Sequence, residues 1–344
     1  MSELGFTHLK SDAGIFVYKK GNDVVIIVIY VDDALFYGKN KVLIVYLHTQ
    51  FMKKWECRDL GDAQEFLRMH IHREGGAILL DQCPYLETVV DCCGMTNAKP
   101  VPTPLSTGYQ ALPNTEAVDP ILRQRFQTVI GSLLYLMLGT CPDISFAVTT
   151  LAQQSANPSK DHLAKALYIC RYLLGTKSYA LKYDGSSMKG LVACTDSDWA
   201  SNPSDRRSQT GFFLKLANGI FSWTSHAQKT VALSSTEAEY MALSDCNRQV
   251  VWVLTLLEEI GYKFRPIPIC GDNQGALFMA SNPITEKRSK HIDIRYHYVR
   301  EVIAAKKVEV FYIDGNDNPA DMFMKNLGHV KFLKFRSLLG LEFY

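Results

Sequence analysis

Long hydrophobic runs are missing from this sequence: the longest, Val24 to Tyr30, falls far short of the roughly 20 apolar residues that a membrane-crossing helix needs. The first residues carry neither the basic flank nor the apolar stretch of a secretory signal, so an intracellular protein is expected. No internal repeat and no low-complexity tract occurs, which argues against a solenoid. Excess charge is missing too. The formal net charge of +2 is no bulk basic footprint, so any nucleic-acid contact must come from charges clustered on one face. The nine cysteines are scattered, with Cys92 and Cys93 adjacent, no CxxC pair and no nearby His at zinc-like spacing; they read as small apolar fillers in a reducing compartment.

What is present is an ordinary globular composition, 47% hydrophobic and 21% charged over 344 residues, enough for two or three domains. Val24 to Tyr30 and Ala34 to Tyr37 read as a buried hairpin with Asp32 and Asp33 at its turn. A helix over Val42 to Lys53, strands over Glu65 to His72 and Ala77 to Leu80 joined at Gly75-Gly76, and a helix over Tyr85 to Cys93 follow. Lys99 to Asp119, with four prolines, reads as a linker. Helices are expected over Ile121 to Leu138, Pro142 to Ser155 and Lys160 to Leu174. Beyond them come strands at Leu191 to Asp196, Thr210 to Leu216 and Ile220 to Trp223, then a long helix from about Ser235. The remainder alternates: strand Ile267 to Cys270, helices Gln274 to Ala280 and Ile292 to Ala305, strand Val308 to Ile313, and a helix from Ala320. Three antiparallel strands followed by helix-linked strands is the order of a ribonuclease H fold.

Phosphodiester hydrolysis by two divalent ions needs carboxylates from different elements gathered on one small patch. Asp196 ends the first of those strands, Glu239 lies in the first turns of the long helix, Asp272 follows the Ile267 strand, and Asp321 opens the last helix. Each alone could be a helix cap or a dipole partner. Their order, Asp, Glu, Asp, Asp, at the ends of successive elements gives them weight together.

The strings CTDSDWAS, SDRRSQTGFFLKL, FSWTSHAQKTVALSSTEAEYMAL, CGDNQGAL, KRSKHIDIRYHYVREVI and NPADMFMKNL resemble the ribonuclease H domain of copia-type retrotransposon polyproteins. The resemblance implies metal ligation by Asp196, Glu239, Asp272 and Asp321, with two Mg2+ ions for which Mn2+ substitutes, and cleavage of the RNA strand of an RNA/DNA hybrid. Glu239 is preferred over Glu237 because Ala238-Glu239-Tyr240-Met241-Ala242-Leu243 matches the ribonuclease H pattern; Glu237 is the fallback. Hybrid selectivity would come from 2′-hydroxyl contacts, with little base reading. Arg206, Arg207, Lys229, Lys287, Arg288, Lys290 and Arg295 are candidate backbone contacts. His291 and His297, six apart, cannot share a helix face, so joint metal binding is not expected. The histidine that many such enzymes carry shortly before the last Asp is absent from Val310 to Asp321.

Tyr30-Val31-Asp32-Asp33 resembles the catalytic hairpin of reverse transcriptases, and WECRDLGDA, VPTPL, IGSLLYL and CPDI look like the same polyprotein further on. The fold class expected is therefore α/β: an α+β palm remnant (1–105), a helical connection (106–185), a ribonuclease H-like mixed five-stranded sheet with flanking helices (186–328) and a helical tail (329–344). A polymerase needs a third Asp on an earlier strand, and only 31 residues precede Asp32, so DNA synthesis by this chain alone is not expected. Arg68, Cys141 and Met324 stand where Gly, Arg and Thr are usual, which suggests a decaying copy. A complete reverse transcriptase is an expected partner, in a cytoplasmic virus-like particle or the nucleus. The alternatives are a catalytically silent nucleic-acid-binding relic and an integrase-type transferase; the latter is disfavoured because those enzymes place Glu last among the acids.

Overall fold

The computed structural model describes residues 1–185, 190–282 and 293–344. In chain order the strands and helices are β1 (Thr7–His8), β2 (Ile15–Lys20), β3 (Asp23–Tyr30), β4 (Asp33–Gly38), α1 (Lys41–Lys54), β5 (Glu65–Phe66), β6 (Met69–Glu74), β7 (Ala77–Asp81) and α2 (Cys83–Cys92). Then come α3 (Pro120–Gly139), α4 (Ser145–Ala152), α5 (Lys160–Thr176), β8 (Tyr179–Tyr183), β9 (Val192–Ser197), β10 (Gln209–Leu216) and β11 (Gly219–Ala227). The rest are α6 (Ser235–Ile260), β12 (Ile267–Gly271), α7 (Gln274–Ser281), α8 (Asp293–Ala304), β13 (Val308–Tyr312), α9 (His329–Leu338) and β14 (Leu341–Phe343). Among the described residues no helix is long and apolar enough to cross a membrane.

Two compact units result, one made of Met1–Leu67 with Gln249–Phe264, the other of Arg68–Arg248 with Arg265–Tyr344. In the first, β1 to β4 form an antiparallel sheet in sequential order. Alternation along β3 turns Val25 and Ile27 toward Leu47 of α1, while Val24 and Ile26 pack with Val17, Leu9 and Ile260. Asn40 starts α1 by accepting the Leu43 N–H. Val31 and Asp32 make the β3–β4 turn, Val31 with φ 52°.

The second unit holds two sheets. One runs β11-β10-β9-β12-β13, antiparallel across β11, β10 and β9 and parallel across β9, β12 and β13. This is the ribonuclease H-like mixed five-stranded sheet. The other is antiparallel and contains β6, β7, β8 and β14 in that order. One core joins them, running from Leu86 and Val90 of α2 through Phe126, Leu133 and Ile169 to Phe213, Ile220, Phe323 and Phe335. Each such fully buried Leu, Ile or Phe contributes about 1.5–3 kcal/mol. The core also contains Tyr172, whose hydroxyl donates to the Asp143 carboxylate and accepts from Arg336 at 3.1 Å.

Several elements differ from the reading of the sequence. The expected strand over Glu65 to His72 breaks at Leu67 and Arg68, both with positive φ (52° and 56°). Glycine, which the resemblance implies at the position of Arg68, would adopt that backbone without strain. The Lys99 to Asp119 stretch has no helix or strand, as expected, but Thr103 and Leu105 are buried and Asn326 holds the Tyr109 carbonyl, so this stretch packs on the core instead of acting as a free spacer. The helix expected from Ala320 is a five-residue 3-10 turn, Pro319–Phe323. Beyond it, 329–344 is helix followed by a strand, because Leu341–Phe343 pairs with β8 and Phe332 and Phe335 fill the core. Strands β1, β2, β8 and β14 were not foreseen.

Candidate active site

Asp196 sits on β9, the middle strand of the mixed sheet, and is 1% exposed. Its register partner on β10 is Gly211, where an added Cβ would lie 2.7 Å from Phe323 Cβ and 2.9 Å from the Ala320 carbonyl oxygen. The missing side chain therefore lets the 3-10 turn carrying Asp321 lie on the sheet beside Asp196. Fully buried Asn318 fastens that turn: its Oδ1 accepts the Ala320 N–H at 3.2 Å and its Nδ2 donates to the Thr195 carbonyl at 3.0 Å.

Glu239 reaches the same place from α6. The helix starts with a local cap in which the Glu237 N–H donates to Ser234 Oγ (3.1 Å) and the Glu237 carboxylate accepts from Leu233 N–H (3.0 Å). Glu237 is thus spent on the helix start, and Glu239, 7% exposed, points inward, where its Oε1 accepts the Ser197 N–H at 3.2 Å. Gln228, also buried, binds Ser197 Oγ, Thr210 Oγ1 and the Ala238 carbonyl, tying β9, β10, β11 and the α6 start around the cluster. Asp272 follows β12, and its carboxylate lies against Gly315, where a Cβ would come within 2.7 Å of Oδ2.

Carboxylate oxygens of Asp196, Glu239 and Asp272 lie within 4.8 Å of one another. Burial, then the charges of Asp272 and Asp321, raises Asp196 well above the usual carboxylate range. Burial, Asp196 and Asp272 push Glu239 up to about 10, and burial raises Asp272 as well. Asp321 is held differently: Lys325 Nζ lies 2.5 Å from its Oδ1 and Lys331 Nζ 2.7 Å from its Oδ2, and Lys331 also donates to the Gly315 carbonyl at 3.2 Å. Neither lysine, nor Asn318 or Gln228, was picked out from the sequence. Lys325, four residues after Asp321, carried a helical-spacing signal; Lys331 reaches in only because α9 folds back.

Asp196 Oδ2 is buried and has no hydrogen-bond partner among the described residues. An uncompensated carboxylate oxygen beside buried Glu239 and half-buried Asp272 fits a bound cation, and an all-oxygen donor set suits a hard ion such as Mg2+ or Mn2+.

Of the candidate phosphate contacts, Arg206, Arg207 and Lys229 are exposed, Arg207 beside Asp205 (3.4 Å). Arg295 is half-buried and turned toward the Met241 carbonyl and Asp245, both at 3.3 Å, so it braces α8 against α6. Burial opposes the charge of Asp245, but His226, Arg295 and Arg248 together hold its carboxyl below the usual range. His297 is exposed, while Lys287, Arg288, Lys290 and His291 lie outside the described residues. Asp32 and Asp33 are exposed at the β3–β4 turn, and among the described residues they belong to no group of three metal-ligating side chains.

A profile for reverse transcriptase (RNA-dependent DNA polymerase) matches residues 1–107, which with the ribonuclease H-like sheet defines a retroelement polypeptide. The Pol polyprotein from transposon TNT 1-94 of Nicotiana tabacum is 37% identical over 98% of this chain, and that from transposon RE1 of Arabidopsis thaliana 33% identical over 98%. This chain spans about a quarter of their lengths, 26% and 23%. An uncharacterized mitochondrial protein of Arabidopsis thaliana, AtMg00810, is 35% identical over 66% of this chain and 93% of its own length. The chain belongs to the retrovirus-related Pol polyproteins of copia-type transposons. Among solved structures, ribonuclease H1 from Halobacterium salinarum overlaps 40% of this chain and 95% of its own at 16% identity and TM-score 0.30. The fold assignment rests on the strand order and pairing directions above.

Proposed function

We propose that this chain is the metal-dependent ribonuclease H segment of its polyprotein and cleaves the RNA strand of RNA/DNA hybrids. The observation that carries this reading is the convergence of Asp196, Glu239 and Asp272, drawn from three elements, around a buried carboxylate oxygen that lacks a partner. These three, with Asp321 beside them, would hold two Mg2+ ions, or Mn2+ in their place. Such ions, when bound, lower the pKa of a water and stabilise charge on the phosphate and on the departing 3′-oxygen. Asp196 and Glu239 hold protons in the desolvated, metal-free pocket, and giving those protons up to arriving cations would relieve the mutual repulsion of the acids. Lys325 and Lys331 pair directly with Asp321 and hold it in place, and Lys325 offsets only part of the charge on Asp196 and Asp272. Exposed Arg206, Arg207 and Lys229 are positioned to meet phosphates from solvent. A complete reverse transcriptase is the proposed partner, and a cytoplasmic particle or the nucleus the proposed place of action.

The test is cleavage of a labelled hybrid by the full chain with Mg2+ or Mn2+, and its loss in Asp196→Asn and Asp272→Asn. Absence of cleavage with both metals, alongside salt-sensitive hybrid binding, would establish the second reading, a silent nucleic-acid-binding relic. What favours that second reading is Asp321, whose two oxygens already face lysines.

A further inference from the structure

A second cluster of metal-ligating side chains lies on the antiparallel sheet of the second unit. Strand β6 places His70 and His72 two residues apart, hence on one face, and the β6–β7 register sets Asp81 opposite His70 on that same face. Nitrogen and oxygen atoms of the three side chains lie within 4.8 Å of one another. His72 Nε2 is 2.7 Å from Asp81 Oδ2, and His70 Nδ1 is 4.0 Å from Asp81 Oδ1. Two ligands each about 2.1 Å from one tetrahedral ion stand about 3.4 Å apart, and the two separations straddle that value.

The carboxylate is already oriented. Asp81 is 1% exposed, and its Oδ1 accepts the Cys83 N–H at 2.7 Å, which leaves Oδ2 turned toward His72. The Tyr344 ring lies against His72, tilted by 36° with centroids 5.1 Å apart. The Tyr344 hydroxyl also shares a hydrogen bond with the Asp81 carboxylate. The histidine side chains remain partly open, 34% and 42% exposed, so an ion could enter and keep a water.

The geometry points to a binding site for one divalent transition-metal ion of the zinc class, held by His70, His72 and Asp81. Two imidazoles and one carboxylate suit Zn2+ and disfavour Mg2+, which prefers oxygen donors. This site therefore differs in ion preference from the all-carboxylate cluster and is independent of the proposed nuclease activity. When filled, it would clip β6 to β7 and stiffen the edge of that sheet.

Zn2+ titration against a chromophoric chelator tests it, using the full chain carrying Asp196→Asn and Asp272→Asn so that the acid cluster does not compete. One equivalent of Zn2+ should bind, and Co2+ in its place should give the visible absorption of a low-coordinate site. His70→Ala and His72→Ala, both at partly exposed positions, should each weaken binding at least about tenfold, the scale of loss seen for even indirect partners of a metal. Lack of Zn2+ uptake, or uptake unchanged in both variants, would overturn the site and leave an ordinary His72–Asp81 hydrogen bond.

Discussion

Asp32 and Asp33 on the first unit's hairpin and Asp196 on the second unit's mixed sheet are the same chemical group in opposite physical states. The hairpin acids are exposed to solvent at a turn. Asp196 is buried beside Glu239 and half-buried Asp272, so ionising it means placing charge beside charge in a desolvated pocket. Acidic residues that look equally catalytic in a sequence are thus separated by the energy stored around them.

The sharpest way to break that contrast is kinetic. Asp196→Asn should reduce hybrid cleavage at least about a hundredfold, the scale of losing one electrostatic contact in an active site, whereas Asp32→Asn with Asp33→Asn should leave the cleavage rate unchanged; a hairpin variant that also abolished cleavage would end the comparison. Next in size is Lys331→Met, which strips one of two cations from buried Asp321. Denaturant melts should show a loss of about 1–3 kcal/mol, and equal stability would mean the lysine is not the counter-charge.

A smaller effect is in pH. Asp196 and Glu239 are raised on folding, so the folded, metal-free chain retains protons that the unfolded chain releases above about pH 4. Their stabilisation is complete below that pH and falls away as pH climbs toward the folded values. Metal-free melting temperature should therefore drop from pH 5 to 8 more steeply in the wild type than in Asp196→Asn, and Mg2+ should restore more stability at pH 8 than at pH 5. Differential scanning calorimetry at the two pH values decides it; parallel slopes would contradict the mutual-repulsion account. Smallest of all, Asp32→Asn should change unfolding free energy by less than about 0.5 kcal/mol, as surface substitutions do.

Much of this was readable in advance. Val24 to Tyr30 announces a buried strand by its β-branched run, and Asp196, Glu239 and Asp272 announce themselves by standing at the ends of three successive elements. The choice between Glu239 and Glu237 has a local physical basis too, since Ser234 and Glu237 form a helix-start pair that occupies the latter. What was hidden depends on distant partners. Strand β14 is three residues long and exists because β8 offers it an edge. Lys331 reaches Asp321 only after α9 packs Phe332 and Phe335 into the core, and Arg295 turned from a phosphate contact into a brace because Asp245 lies within reach. Composition carries no trace of such meetings.

The shared core of the second unit has a consequence for how this polypeptide can be divided. Phe213 and Ile220 of the mixed sheet and Phe323 of the 3-10 turn share one core with side chains of α3, α4 and α5, and α4 packs on β11 and on that turn. A fragment starting at residue 190 would expose that oily surface to water and lose β8, the strand on which β14 pairs. A retroelement that shuffled its ribonuclease H-like segment into a new gene would have to carry the preceding hundred or so residues along, or find another protein willing to cover the bare side.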